Sequence, residues 1–122
     1  MPELAGARVL IVEDEGMVAI LLEDMLEDLG CVVAASVATV ARAEEVVRST
    51  PVDVALLDVN LAGETTADFA RALGRHPIPI VFSTGYGSNG VPSDLRNWPV
   101  LAKPFEPGDL RQAIESVLKV TD

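Results

Sequence analysis

The sequence holds one cysteine, one histidine and only two lysines, Lys103 and Lys119, among 122 residues. A single thiol, Cys31, cannot close an internal disulfide, and with His76 as the only imidazole a His/Cys zinc cage is excluded. Clean apolar runs near the start, such as Val9–Val12, are far too short for a signal peptide or a membrane span. Basic residues are outnumbered 9 to 19 by acidic ones, a net charge of −10, which excludes nucleic-acid binding through a phosphate-neutralising patch. These absences together point to a reducing cytoplasm, with neither membrane nor nucleic acid as a partner.

What is present is enough for one core. Apolar residues make up 49% of the chain and charged residues 23%, a balance that excludes disorder, collagen and a small disulfide scaffold. A length of 122 residues fits a single domain spanning the chain, its core over about residues 7–120. The acids are uneven. Eight fall in the first 30 residues, where Arg8 is the only base.

Short apolar runs alternate with amphipathic segments. Arg8–Val12, Cys31–Val37, Val52–Leu57, Ile78–Phe82 and Trp98–Ala102 read as strands, with Pro77 and Pro79 at a strand entry where a missing donor is tolerated. The period from Met17 to Leu29 predicts a helix burying Val18, Leu21, Leu22, Met25, Leu26 and Leu29, closed by Gly30. Met17 and Ile20 extend that apolar set beyond one stripe and suggest a partly exposed docking patch. Thr39 caps a helix running to about Arg48, and further helices are expected over Glu64–Leu73 and Glu106–Val120. Between Gly85 and Asn97, helix potential is confined to about Ser93–Arg96, so a fourth helix there is short or mobile. The alternation predicts an α/β fold, a doubly wound five-stranded parallel sheet covered on both faces.

In such a sheet, chemistry gathers beyond the carboxyl ends of the strands, where strand order reverses. This chain places Glu13-Asp14, Asp58, Ser83-Thr84-Gly85 and Lys103-Pro104 at four of those five ends. Three crowded carboxylates need a cation, and an oxygen-only ligand set selects a hard one, Mg2+ or Mn2+. A lysine across the pocket complements a phosphoryl group, and a hydroxyl beside a glycine can donate to it. The implied chemistry is phosphoryl transfer with an aspartate as nucleophile.

Glu13-Asp14, Leu56-Leu57-Asp58-Val59-Asn60, Thr84-Gly85 and Lys103-Pro104-Phe105 together resemble the signature of receiver domains of bacterial two-component response regulators. The resemblance covers about residues 7–120 and implies a flavodoxin-like fold of five strands, in order 2-1-3-4-5, and five helices. It implies Asp58 as acceptor of a phosphoryl group from a histidine kinase or a histidine phosphotransfer domain. Asp14, the Asp58 carboxylate and the Asn60 carbonyl would hold Mg2+ directly, and Glu13 through water. Lys103 would contact a phosphoryl oxygen, Thr84 would swing its hydroxyl toward it, and Pro104 would be a cis-proline setting the Lys103 backbone. The reading is of a stand-alone receiver that controls an unidentified downstream partner or relays phosphate, and turns over no external substrate.

Three positions depart from the family pattern. Val100 stands where many receivers carry a switch aromatic, Ala62 stands for a usual proline, and Phe82-Ser83-Thr84-Gly85-Tyr86-Gly87 looks like a subgroup with a Phe-Ala-Thr-Gly run. Without the aromatic, phosphorylation is expected to order residues 85–97 as Tyr86 repacks, with Tyr86 shielding the acyl phosphate. Two alternatives stand beside this reading. One is a pseudo-receiver that only binds protein. The other is an aspartyl phosphatase of the haloacid dehalogenase kind, which wants an acid where this chain has Asn60.

Overall fold

The computed structural model describes residues 4–61, 63–75, 77–85 and 90–120. Seven strands and four α-helices are found among them: β1 (Arg8–Val12), α1 (Gly16–Asp28), β2 (Val32–Val37), α2 (Val40–Ser49), β3 (Val54–Asp58), β4 (Asn60–Leu61), β5 (Glu64–Thr65), α3 (Ala67–Arg75), β6 (Ile80–Thr84), β7 (Val100–Ala102) and α4 (Pro107–Val120). Five strands form one sheet in the order β2-β1-β3-β6-β7, all parallel. This is the expected 2-1-3-4-5 arrangement, because β4 and β5 lie outside it as a small antiparallel pair.

Strand alternation sorts the core into two layers. Val9, Ile11, Val54, Leu56, Val81 and Leu101 pack with α1 and α4, whereas Leu10, Val12, Ala55, Leu57, Ile80 and Phe82 pack with α2 and α3. The central strands β3 and β6 are buried along their whole length, which is why they read as continuous apolar runs rather than alternating ones. Trp98 bridges both layers at the amino end of β7, and Cys31 is a buried small side chain.

The helix ends follow their local chemistry. Thr39 accepts from the Arg42 amide at 3.2 Å, capping α2 as anticipated. Gly30 takes φ +89° after α1, with its amide on the Glu27 carbonyl and the Cys31 amide on the Leu26 carbonyl, a Schellman closure that requires a left-handed residue.

Three expectations are corrected. Leu21 is 57% exposed, because Ala19, Leu22, Met25 and Leu26 make the buried stripe of α1. The helix expected from Glu64 begins at Ala67, because Asn60–Leu61 and Glu64–Thr65 pair as a hairpin whose turn places Gly63 at φ +92° with its amide on Asn60 Oδ1 at 2.7 Å. Instead of a fifth α-helix, the described part of the β6–β7 connection holds a single 3-10 turn, Ser93–Leu95, in agreement with the short helix potential there. The Arg71 guanidinium clasps that turn to α3 through both oxygens of Asp94, at 2.9 and 3.1 Å, and holds the Asp94 carboxyl below its ordinary pKa.

Candidate functional site

The carboxyl edge of the sheet collects polar groups because each of three strands ends in one. Glu13 continues the row of Val9 and Ile11, Asp58 that of Val54 and Leu56, and Lys103 that of Leu101, so all three side chains fall on the α1/α4 side. Glu13 and Asp58 are only 3% and 8% exposed. Lys103 Nζ donates to Glu13 Oε2 at 2.9 Å and to Asp58 Oδ2 at 3.2 Å. The sequence suggested a lysine facing the carboxylates across a pocket; the structure instead seats the ammonium directly on two of them, where Coulomb attraction in a poorly hydrated site is strongest.

Burial pushes the Glu13 carboxyl above its ordinary pKa and Asp58 adds to the effect, against the hydrogen bonds from Lys103 and from the Glu15 amide. Burial works the other way on Lys103, but the Glu13 hydrogen bond and both carboxylate charges outweigh it and raise the lysine above its ordinary value. The Asp58 carboxylate also accepts from the Asn60 amide at Oδ1, at 3.2 Å. Its second oxygen is therefore held by Lys103 and its first by backbone.

Asp14 completes the acidic group. One oxygen from each of Glu13, Asp14 and Asp58 lies within 4.8 Å of the others. Oxygens on an octahedral Mg2+ at about 2.1 Å sit about 3 Å apart when adjacent and about 4.2 Å apart across the ion, so modest side-chain rotation gathers this set around one. Three carboxylates and one ammonium leave a formal charge of −2, which a divalent ion balances. The donor set fits Mg2+ or Mn2+.

In front of Asp58 opens a cleft of about 640 Å³ lined by Asp14, Glu15, Asp58, Val59, Asn60, Thr65, Thr84, Gly85 and Gly90. Thr84, at the end of β6, is buried and its carbonyl accepts from the Lys103 amide at 2.8 Å, which fixes where the lysine leaves the sheet. A Cβ on Gly90 would lie 3.5 Å from Thr84 Oγ1, so the chain passes close to that hydroxyl. The Lys103–Pro104 bond is cis. Val100 is half-buried opposite Phe82 and packs into the α2/α3 layer. Tyr86, with the shielding and ordering roles expected of it, lies outside the described residues, as do Ala62 and His76. At Asn60 the side-chain oxygen is spent on the Gly63 amide, and no acid stands there as a dehalogenase-type phosphatase would need.

One participant was not legible beforehand. Thr66 is fully buried and its hydroxyl donates to the carbonyl of Asp58 at 2.8 Å, with its amide on the Val59 carbonyl at 3.1 Å. The pair Thr65-Thr66 just before α3 was the available signal, since hydroxyls favour helix starts. Thr66→Val keeps the shape and removes the donor from the Asp58 backbone. It should lower stability by about 1–2 kcal/mol, read as a shift of the urea midpoint.

A doubly wound sheet of order 2-1-3-4-5 with acids at its switch point belongs to the flavodoxin-like class, and comparison with known proteins narrows that class. Residues 9–115 match the model of the response regulator receiver domain, and the chain belongs to that family. It is similar to the solution structure of SdrG from Sphingomonas melonis Fr1, at 41% identity and a TM-score of 0.84 over 96% of this chain and 99% of that one. The receiver domain of the PhyR response regulator from Erythrobacter litoralis is 30% identical, with a TM-score of 0.83 over 95% of this chain and 92% of that one. A BeF3-activated conformation of SdrG, from Pseudomonas melonis Fr1, is 42% identical with a TM-score of 0.81 over 93% and 98%. No curated protein matches. Family membership carries the general phosphoacceptor role of two-component receivers, domains that bind Mg2+ at acidic clusters of this kind and interact with histidine kinases or phosphotransfer proteins. No helix among the described residues is long and apolar enough to cross a membrane.

Proposed function

We propose that this receiver takes a phosphoryl group from a phosphohistidine onto Asp58, with Mg2+ bound by Asp14, Asp58 and the Asn60 carbonyl and held by Glu13 through water. The observation that carries the reading is the Lys103 ammonium shared between Glu13 and the acceptor carboxylate. In the transfer, an Asp58 oxygen attacks phosphorus, the P–N bond breaks, and its electron pair stays on the imidazole, which takes up a proton. Bound Mg2+ would offset the charge of the carboxylates and of the incoming phosphoryl oxygens. Lys103 leaves Glu13 for a phosphoryl oxygen, and Thr84 turns its hydroxyl from the end of β6 toward another. The chain catalyses its own phosphorylation and dephosphorylation and has no external substrate to turn over. It acts in the cytoplasm by controlling a partner protein or passing the phosphate on.

The donor would dock beside the acceptor. Met17 and Ile20 are 86% and 61% exposed, and an apolar groove of about 350 Å³ runs between α1 and the Lys103-Pro104-Phe105 turn, lined also by Val18, Leu21, Leu22 and Met25. A helical histidine-bearing domain supplies the apolar face such a groove accepts. The test is intact mass after treatment with acetyl phosphate: gain of one phosphoryl group with Mg2+, and none with excess chelator, is the expected result. A chain that takes no label under either condition is the protein-binding pseudo-receiver instead.

Metal binding should also titrate. Glu13 has a raised pKa, so protons compete with the ion over a range that begins above the 4.5 of an ordinary glutamate. Mg2+ affinity, followed by calorimetry, should weaken as pH falls through that range and be flat at higher pH. Affinity unchanged down to 4.5 would remove Glu13 from the binding group.

A further inference from the structure

Ser83 is 1% exposed, and its Oγ has no hydrogen-bond partner among the described residues. A buried hydroxyl left unpaired opposes folding, so its presence calls for a cause outside stability. Its place in the sheet supplies one. Val81 packs in the α1/α4 layer while Ile80 and Phe82 pack in the other, so Ser83 follows Val81 to the side that carries Glu13, Asp58 and Lys103. In register, Ser83 stands directly between Asp58 on β3 and Leu101 on β7. Lys103 follows β7 by one residue, and its ammonium reaches Asp58 on β3 and Glu13 beyond β1. Its stem must therefore cross β6, about 4.8 Å wide in the sheet, where Ser83 is the side chain on that face.

The geometry points to Ser83 as a positioning residue for Lys103, an inference that rests on the phosphoacceptor reading of the site. An ammonium carries three hydrogens, and two are spent on Glu13 and Asp58. When Lys103 gives up Glu13 for a phosphoryl oxygen, the Ser83 hydroxyl accepts another of its hydrogens from below. The lysine then keeps two fixed contacts while the third forms on the developing phosphoryl charge. Nothing covalent happens at Ser83; it narrows where the ammonium can stand.

Two variants separate this from packing. Ser83→Ala removes both the oxygen and its volume, whereas Ser83→Cys keeps the volume but substitutes a poor acceptor. Labelling of Asp58 by acetyl phosphate with saturating Mg2+ is followed against donor concentration. Both variants should lower the maximal rate about tenfold, the lower end for a hydrogen bond to a charged group, and leave the half-saturating concentration unchanged. The Ala variant should unfold at the same or a higher temperature than the parent, since it sheds an unpaired polar group. A normal rate in both variants, or a slow Ala variant beside a normal Cys variant, overturns the inference while leaving the phosphoacceptor reading intact. A parent protein that accepts no label at all overturns both.

Discussion

Asp58→Asn protein incubated with acetyl phosphate and Mg2+ should keep its unmodified mass, while the parent gains one phosphoryl group in minutes. The effect is complete because the two neighbouring carboxylates are placed differently: Glu13 does not line the cleft, and Asp14 is not held as Asp58 is. Asp58 is gripped at both oxygens, by the Asn60 amide and by Lys103, and it opens onto the 640 Å³ cleft in front of the sheet. An amide in its place keeps the shape but has lost the anionic oxygen. Folding should survive, since Lys103 retains Glu13 as a partner. Label that persists in the variant would place the acceptor elsewhere and refute the assignment. Release of phosphate from generic esters by the parent would revive the phosphatase alternative.

Lys103→Met should destabilise the Mg2+-free protein by about 2–3 kcal/mol, lowering the melting temperature by about 10 °C. The side chain of Glu13 is 1% exposed and that of Asp58 11%, and removing their shared cation leaves two carboxylates with one backbone amide each and no counter-charge. The lysine's own 20% exposure keeps the figure below that of a fully buried pair. The loss should depend on pH in a definite sense. Without Lys103 the folded-state pKa of Glu13 climbs further above its ordinary 4.5, so the native state holds the extra proton and the penalty shrinks as pH falls toward that value. Mg2+ should restore more stability to the variant than to the parent, since the ion supplies the missing positive charge. Equal melting temperatures in parent and variant would mean that the contact is too well hydrated to matter.

The two predictions differ in what made them possible. The place of Asp58 was legible from the chain, because a nearly continuous apolar run ending in one acid marks a buried parallel strand with a polar residue at its carboxyl end. The same pattern located Glu13, Asp14, Thr84 and Lys103. The grip of Lys103 on both carboxylates was not legible, because it depends on how far a long side chain reaches across two neighbouring strands. Leu21 was misplaced for a related reason: the helical period gives an apolar arc wider than the sheet can cover, and only packing selects which edge stays exposed. The β4–β5 hairpin hid inside what read as turn and helix start, since two-residue strands carry no periodic signal.

By itself, then, the order of residues determined the alternation of strands and helices, the single-core composition, the caps at Thr39 and Gly30, and the set of groups delivered to one edge of the sheet. These depend on local chemistry and on periods of two and 3.6 residues, which are written along the chain. Tertiary structure alone decided that Lys103 sits on Glu13 and Asp58, that Thr66 braces the Asp58 carbonyl, and that Ser83 lies buried with no hydrogen-bond partner among the described residues. Each of those joins residues from different strands or loops, at distances set by register and burial rather than by spacing in the sequence.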